Sequence, residues 1–160
     1  MNIPKKFKKF QKKDIPLSIC FAKTIKKQNY LIPGCNVFTH CYLSGLVAKK
    51  IIEIFPCWLK NKLFPEGTPL IVSVHDIGKV SSFQEDIYKN LGYTLNIFPS
   101  MENKIYHNEV SQAALSHTNK KIAKITGRHH GFSPRNIQEP NAEIYGGESW
   151  QKLREELFPA

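Results

Sequence analysis

Five of the six histidines fall in one ordered series: His40, then His75 followed directly by Asp76, then His107, then the pair His129-His130. Lys79 follows the aspartate by three residues, and only His117 stands outside the series. Imidazoles with one carboxylate are ligands that divalent transition metals take from proteins. A centre of that kind activates water, so the chemistry these residues point to is hydrolysis. A carboxylate beside an imidazole can bridge two cations while the imidazole holds one. On a helix the neighbours His75 and Asp76 point about 100° apart. Lys79 returns to their face, where its ammonium could meet a phosphate or steady the carboxylate. His129-His130, next to Gly131, offers two further imidazoles. His-rich ligation with one carboxylate suits Mn, Fe, Co, Ni or Zn better than Mg.

Ligands this far apart in sequence meet only if several helices converge, and the chain reads as mostly α. Val37–Phe55 carries His40, Leu43, Val47, Ile51 and Ile54 at helical spacing, which predicts one apolar stripe. Pro33-Gly34 precedes it and Pro56 ends it. A second helix is predicted from about Pro69 through His75, with Gly78 inside it or at its end. Phe83–Leu91 reads as a short helix stopped by Gly92. Tyr93–Tyr106 reads as a loop, a candidate substrate-facing segment. His107–Ser116, Lys120–Thr126 and an amphipathic Glu148–Leu157 complete the helices. His40 and His107 must arrive from different helices.

Length and composition fit one domain of 160 residues with a substantial core. No apolar run approaches the roughly 18–20 residues of a membrane span, and Met1–Ala22 makes a poor signal peptide. A cytosolic protein with no membrane partner is expected. The net charge of +10 is unevenly placed, because residues 1–60 carry 12 lysines against 2 acids. Lys5, Lys6, Lys8, Lys9, Lys12 and Lys13 concentrate it, so residues 1–19 are expected to form a basic segment before a domain over 20–160. A cationic region of this kind attracts polyanions. Cys20, Cys35, Cys41 and Cys57 form no C-x-x-C pair and are expected to be buried thiols.

Several stretches, taken in order, resemble the HD superfamily of metal-dependent phosphohydrolases, and more closely the HD nuclease domain of the type I CRISPR nuclease-helicase. Ala22-Lys23-Thr24 is similar to an early Lys-Ser/Thr motif. His40 leads a helix as the first family histidine does. His75-Asp76-Ile77-Gly78-Lys79, with Ser82-Phe83-Gln84 after it, resembles the signature segment. His107, four before Ser111, resembles the third histidine segment. Thr126-Gly127-Arg128-His129-His130-Gly131-Phe132 resembles the late HHG motif. Glu148-Ser149-Trp150 with Arg154 resembles the family segment C-terminal to that motif. The resemblance spans about residues 20–158. It implies an HD-domain helical bundle with one or two metal ions in a cleft. His40, His75 and Asp76 would hold the first and His107, His129 and His130 the second, with Asp76 bridging. It further implies metal-activated water cleaving single-stranded DNA in CRISPR interference, with Asp76 and Lys79 taking part directly. Lys23, Thr24 and Arg128 are candidates for substrate contact, although Arg128 could equally cap a helix. Phe83 and Gln84 read as support for the metal segment, and Trp150 as the anchor of the last helix.

Two departures qualify the resemblance. The family places another metal-binding aspartate after the HHG segment, whereas no Asp follows Asp86 here. The family also carries a helicase, yet no G-x-x-x-x-G-K-[ST] loop is present. The chain therefore reads as a separate nuclease subunit acting with a CRISPR surveillance complex, or as an excerpt of a longer protein. Two other readings stay open: a phosphohydrolase acting on a nucleotide, and an inactive remnant that binds nucleic acid or a CRISPR complex.

Overall fold

A computed structural model of the chain describes residues 16–95 and 105–157. The lysines from Lys5 to Lys13 and most of the Tyr93–Tyr106 stretch lie outside the described residues. Among the described residues seven α-helices dominate: α1 Val37–Glu53, α2 Cys57–Leu63, α3 Thr68–Val74, α4 Phe83–Asn90, α5 His107–Leu115, α6 Lys120–Gly127 and α7 Gly147–Glu155. One antiparallel hairpin precedes them, β1 Thr24–Lys27 and β2 Tyr30–Pro33, with Thr24 opposite Pro33 and Lys27 opposite Tyr30. Among the described residues no helix is long and apolar enough to cross a membrane.

The mostly helical reading holds, with two corrections. The first concerns α1. Leu43, Val47, Ile51 and Ile54 are exposed, and the residues α1 buries are Val37, Cys41 and Gly45. The reason is the close approach of α1 to α3: a Cβ on Gly45 would lie 2.9 Å from the Ser73 Cβ. Small residues therefore take the inner face and the large apolar ones point out.

The second correction concerns the helix expected to run through the His-Asp doublet. Helix α3 ends at Val74, and Asp76, with φ −107° and ψ 14°, leaves the helical path. Ile77–Lys79 then forms a separate 3-10 turn. That turn packs so tightly on the start of α5 that any Cβ on Gly78 would collide with the backbone carbonyl of His107. Only glycine fits there.

Leu17 and Ile19 sit against the main core of Cys20, Ala22, Val37, Cys41, Ile77, Val80, Trp150 and Leu157. Trp150 thus anchors α7. Arg154 completes the attachment: it is fully buried and donates to the carbonyls of Val80, Tyr145 and Pro140 at 2.9, 3.0 and 2.7 Å. Burial pushes its guanidinium down to about 10.

Candidate metal centre

Helix ends supply the site. Asn36 caps α1, its Oδ1 accepting the Thr39 N–H at 2.7 Å, which fixes the first turn and with it His40. His75 caps the C-terminus of α3, His107 opens α5, and His129-His130 follow the end of α6. The last carbonyls of a helix lack partners within it. Two of these histidines satisfy such carbonyls three residues back. His75 Nδ1 lies 2.6 Å from the Val72 oxygen, and His129 Nδ1 lies 2.5 Å from the Thr126 oxygen. A carbonyl only accepts, so the hydrogen-bond pattern assigns the proton to each Nδ1 and turns each Nε2 toward the centre.

Asp76 stands where these rings meet. Its Oδ2 lies 2.8 Å from His40 Nε2, 3.1 Å from His75 Nε2 and 2.7 Å from Lys79 Nζ. Its Oδ1 lies 3.1 Å from His107 Nε2 and 3.4 Å from His129 Nε2. His130 Nε2 is 2.9 Å from His107 Nε2. Two ligand-competent triads result, His40-His75-Asp76 and His107-His129-His130, each with its donor atoms within 4.8 Å of one another.

The fit to a cation can be tested on unsatisfied atoms. Asp76 Oδ1 and His129 Nε2 are both buried and take part in no hydrogen bond, although the His107 and His129 rings approach Oδ1 to 3.1 and 3.4 Å. Leaving such groups unpaired costs about 1–3 kcal/mol each. A carboxylate oxygen and an imidazole lone pair turned toward each other repel unless a cation stands between them. The donor set therefore fits one or two divalent ions.

Electrostatics agree. Burial alone would raise the Asp76 carboxyl, but His107, His129, His75 and the Lys79 ammonium outweigh it and hold it well below the usual carboxylate range. The Asp76 carboxylate raises His75, so a proton on its Nε2 can occupy the position a metal would take. Burial lowers His40 and His130, helped by neighbouring cationic groups.

Supporting contacts hold the turn in place. The Ser111 hydroxyl accepts from the Gly78 N–H and donates to the His75 carbonyl, both at 2.9 Å. Gln84 is buried; its amide pairs with both backbone groups of Phe21 and donates to the Lys79 carbonyl at 2.8 Å. The Phe83 ring lies edge-on to His107 at 5.2 Å between centroids and under Lys79 Nζ at 5.6 Å. Residue type alone did not reveal the parts played by Ser111, Val72 and Thr126. The i−3 spacing at each helix end was the signal for the two carbonyls.

The candidate substrate contacts fall on β1, the residue before it and the end of α6. Lys23 is exposed and its carbonyl accepts from Gly34 N–H, Thr24 opens β1, and Arg128 is the exposed C-terminal cap of α6. None of the three is among the groups placed within ion-pair distance of Asp76. No cysteine enters either triad among the described residues; Cys20 and Cys41 are buried and Cys35 is half-buried, but Cys57 is exposed, against expectation. Its place early in the short helix α2 leaves it facing solvent. His117 pairs with Glu139 at 3.1 Å on the surface.

Comparison with protein families gives a match to the HD domain of Cas3 over residues 22–160. No curated protein and no solved structure matches. With nearly the whole chain covered and the histidine–aspartate centre assembled, the chain belongs to the Cas3 HD-domain family, which implies a metal-dependent nuclease role in CRISPR systems.

Proposed function

We propose that this protein hydrolyses phosphodiester bonds of single-stranded DNA at a pair of divalent transition-metal ions. His40, His75 and Asp76 would hold one ion, and His107, His129 and His130 the other, with Asp76 facing both. The observation that carries this reading is the division of the Asp76 oxygens, Oδ2 toward His40 and His75, Oδ1 toward His107 and His129. When bound, such ions supply Lewis acidity that activates water and offsets phosphate charge.

The chain's own residues do the rest. The carbonyls of Val72 and Thr126 keep the Nε2 atoms of His75 and His129 available as ligands. Lys79, bound to Asp76 at 2.7 Å, keeps the carboxylate ionised and adds positive charge beside the incoming phosphate. Lys23, Thr24 and Arg128 are assigned to the flanking phosphates. Asp76 is the only carboxylate in either triad among the described residues, so no second acid of these triads can take its place. A CRISPR surveillance complex that exposes a single strand, with a helicase to feed it, fits such a centre.

The test is degradation of circular and linear single-stranded DNA by the purified chain with Mn²⁺, Co²⁺ or Ni²⁺. An Asp76→Ala protein, a chelator and mononucleotide substrates are run in parallel. Strand cleavage abolished by both Asp76→Ala and the chelator supports the reading. Turnover of mononucleotides without strand cleavage, or no turnover by folded, metal-loaded protein, refutes it.

A further inference from the structure

Beside the second triad is a cavity of about 240 Å³ lined by Tyr106, Asn108, Glu109, Phe132, Pro134 and Arg135. Two of its walls are large aromatic rings left open to solvent, Tyr106 at 50 % and Phe132 at 47 % exposure. They meet edge to face, 5.9 Å between centroids and 76° between planes. The Phe132 ring also lies nearly parallel to the His130 ring, 19° apart in plane and 6.4 Å between centroids. Tyr106 directly precedes His107 and Phe132 follows His130 by two residues. The aromatic ledge therefore begins at the centre itself. Arg135 adds a cation to the same cavity, while Glu109 is occupied in accepting the Tyr145 hydroxyl at 2.8 Å.

We propose that Tyr106 and Phe132 form a stacking platform for an unpaired nucleobase next to the scissile phosphate, with Arg135 meeting the adjoining phosphate. The proposal rests on the phosphodiesterase reading and assigns its strand selectivity to named residues. Exposed apolar rings beside a cationic group are how sequence-neutral single-strand binders hold bases, since every base has a π-face. A paired base has both faces covered by its neighbours in the stack and cannot lie on the ledge without leaving the duplex. The platform therefore selects single strands by stacking alone, with no reading of sequence.

The test separates binding from cleavage. A short single-stranded oligodeoxynucleotide containing 2-aminopurine is titrated with the whole chain in Ca²⁺, and its fluorescence and anisotropy are followed. The Tyr106→Leu/Phe132→Leu protein, which keeps apolar bulk without rings, is titrated likewise after its metal content and Tm are matched to wild type. The expected result is quenching by wild type and affinity weaker by about 10-fold or more in the double variant. Binding by wild type should weaken likewise for a strand whose bases are replaced by abasic sites. Equal affinity of both proteins, or of intact and abasic strands, overturns the platform, as does failure of wild type to bind the strand. Binding with quenching but no cleavage in Mn²⁺ would leave the platform standing and remove the nuclease reading. Cleavage with unchanged KM in the double variant would do the reverse.

Discussion

Asp76 Oδ1 and His129 Nε2 face each other at 3.4 Å, both buried and neither held by a hydrogen bond. The same carboxylate reaches His40 and His75 through its other oxygen. Replacing it with an amide removes the charge that serves both triads while keeping its shape. The Asp76→Asn protein is therefore expected to lose most bound metal and most strand cleavage. At metal concentrations of 100 times Kd, wild type should gain about 2.7 kcal/mol of stability. The variant's thermal unfolding should not respond to metal, and a metal-induced rise in its Tm equal to that of wild type would refute the assignment.

Protons compete for the same atoms, and the direction of each shift fixes how. The Asp76 carboxylate raises His75, so that ring still holds a proton somewhat above its ordinary value of about 6.5. Burial lowers His40 and His130, which stay neutral until the pH is below that value. Metal affinity should accordingly begin to fall as pH drops toward 6.5, from His75 first, and fall more steeply below it. Co²⁺ titrations followed by visible absorbance between pH 8 and 5.5 measure this. Affinity unchanged down to pH 6 would contradict it.

Gly78 is pinned between the His75 turn and α5. Gly78→Ala forces its methyl onto the His107 carbonyl and should cost about 1–3 kcal/mol of stability, the usual penalty of overpacking. Ser111→Ala leaves the Gly78 N–H and the His75 carbonyl without their partner, at about 1–3 kcal/mol. Urea unfolding reads both. Because the loosened segment carries His75 and Asp76, Ser111→Ala should also bind metal more weakly at a temperature where it is fully folded.

Thiol chemistry checks the packing independently. Burial pushes the Cys20 and Cys41 thiols up to about 12, which leaves roughly one thiolate in ten thousand at pH 8. Cys57 is exposed. Alkylation of the native protein with iodoacetamide at pH 8 should label Cys57 rapidly and leave Cys20 and Cys41 unmodified until denaturant is added. Peptide mass mapping decides it, and rapid labelling of Cys41 would mean that α1 is not seated on the Asp76 segment as described.

The helices carrying the site were legible from their apolar periods, α1 also from the proline that ends it, and the series His40, His75-Asp76, His107, His129-His130 contains every member of both triads. The hairpin was not legible: its turn uses Gln28 at φ 54° rather than glycine, and both strands are largely exposed, so no alternation marks them. Helix α2 was missed because seven residues between two prolines give too short a period. The inner face of α1 was misread because both of its faces carry apolar residues. What separates them is residue size at the Gly45–Ser73 approach, which only the crossing of two helices defines. The break after Val74 was hidden for a similar reason: no proline or glycine announces it, and packing on α5 imposes it.

The tautomers of His75 and His129 are each set by a carbonyl in the final turn of the helix that ends there. Fraying of a final turn is among the least costly motions of a folded chain. Here it would free the ring to exchange its protonated nitrogen and withdraw a ligand while the core stayed intact. Fraying there would turn a fluctuation of secondary structure into a change of coordination chemistry. Amide exchange at the ends of α3 and α6 should slow together when metal binds, well before any change in global unfolding is seen.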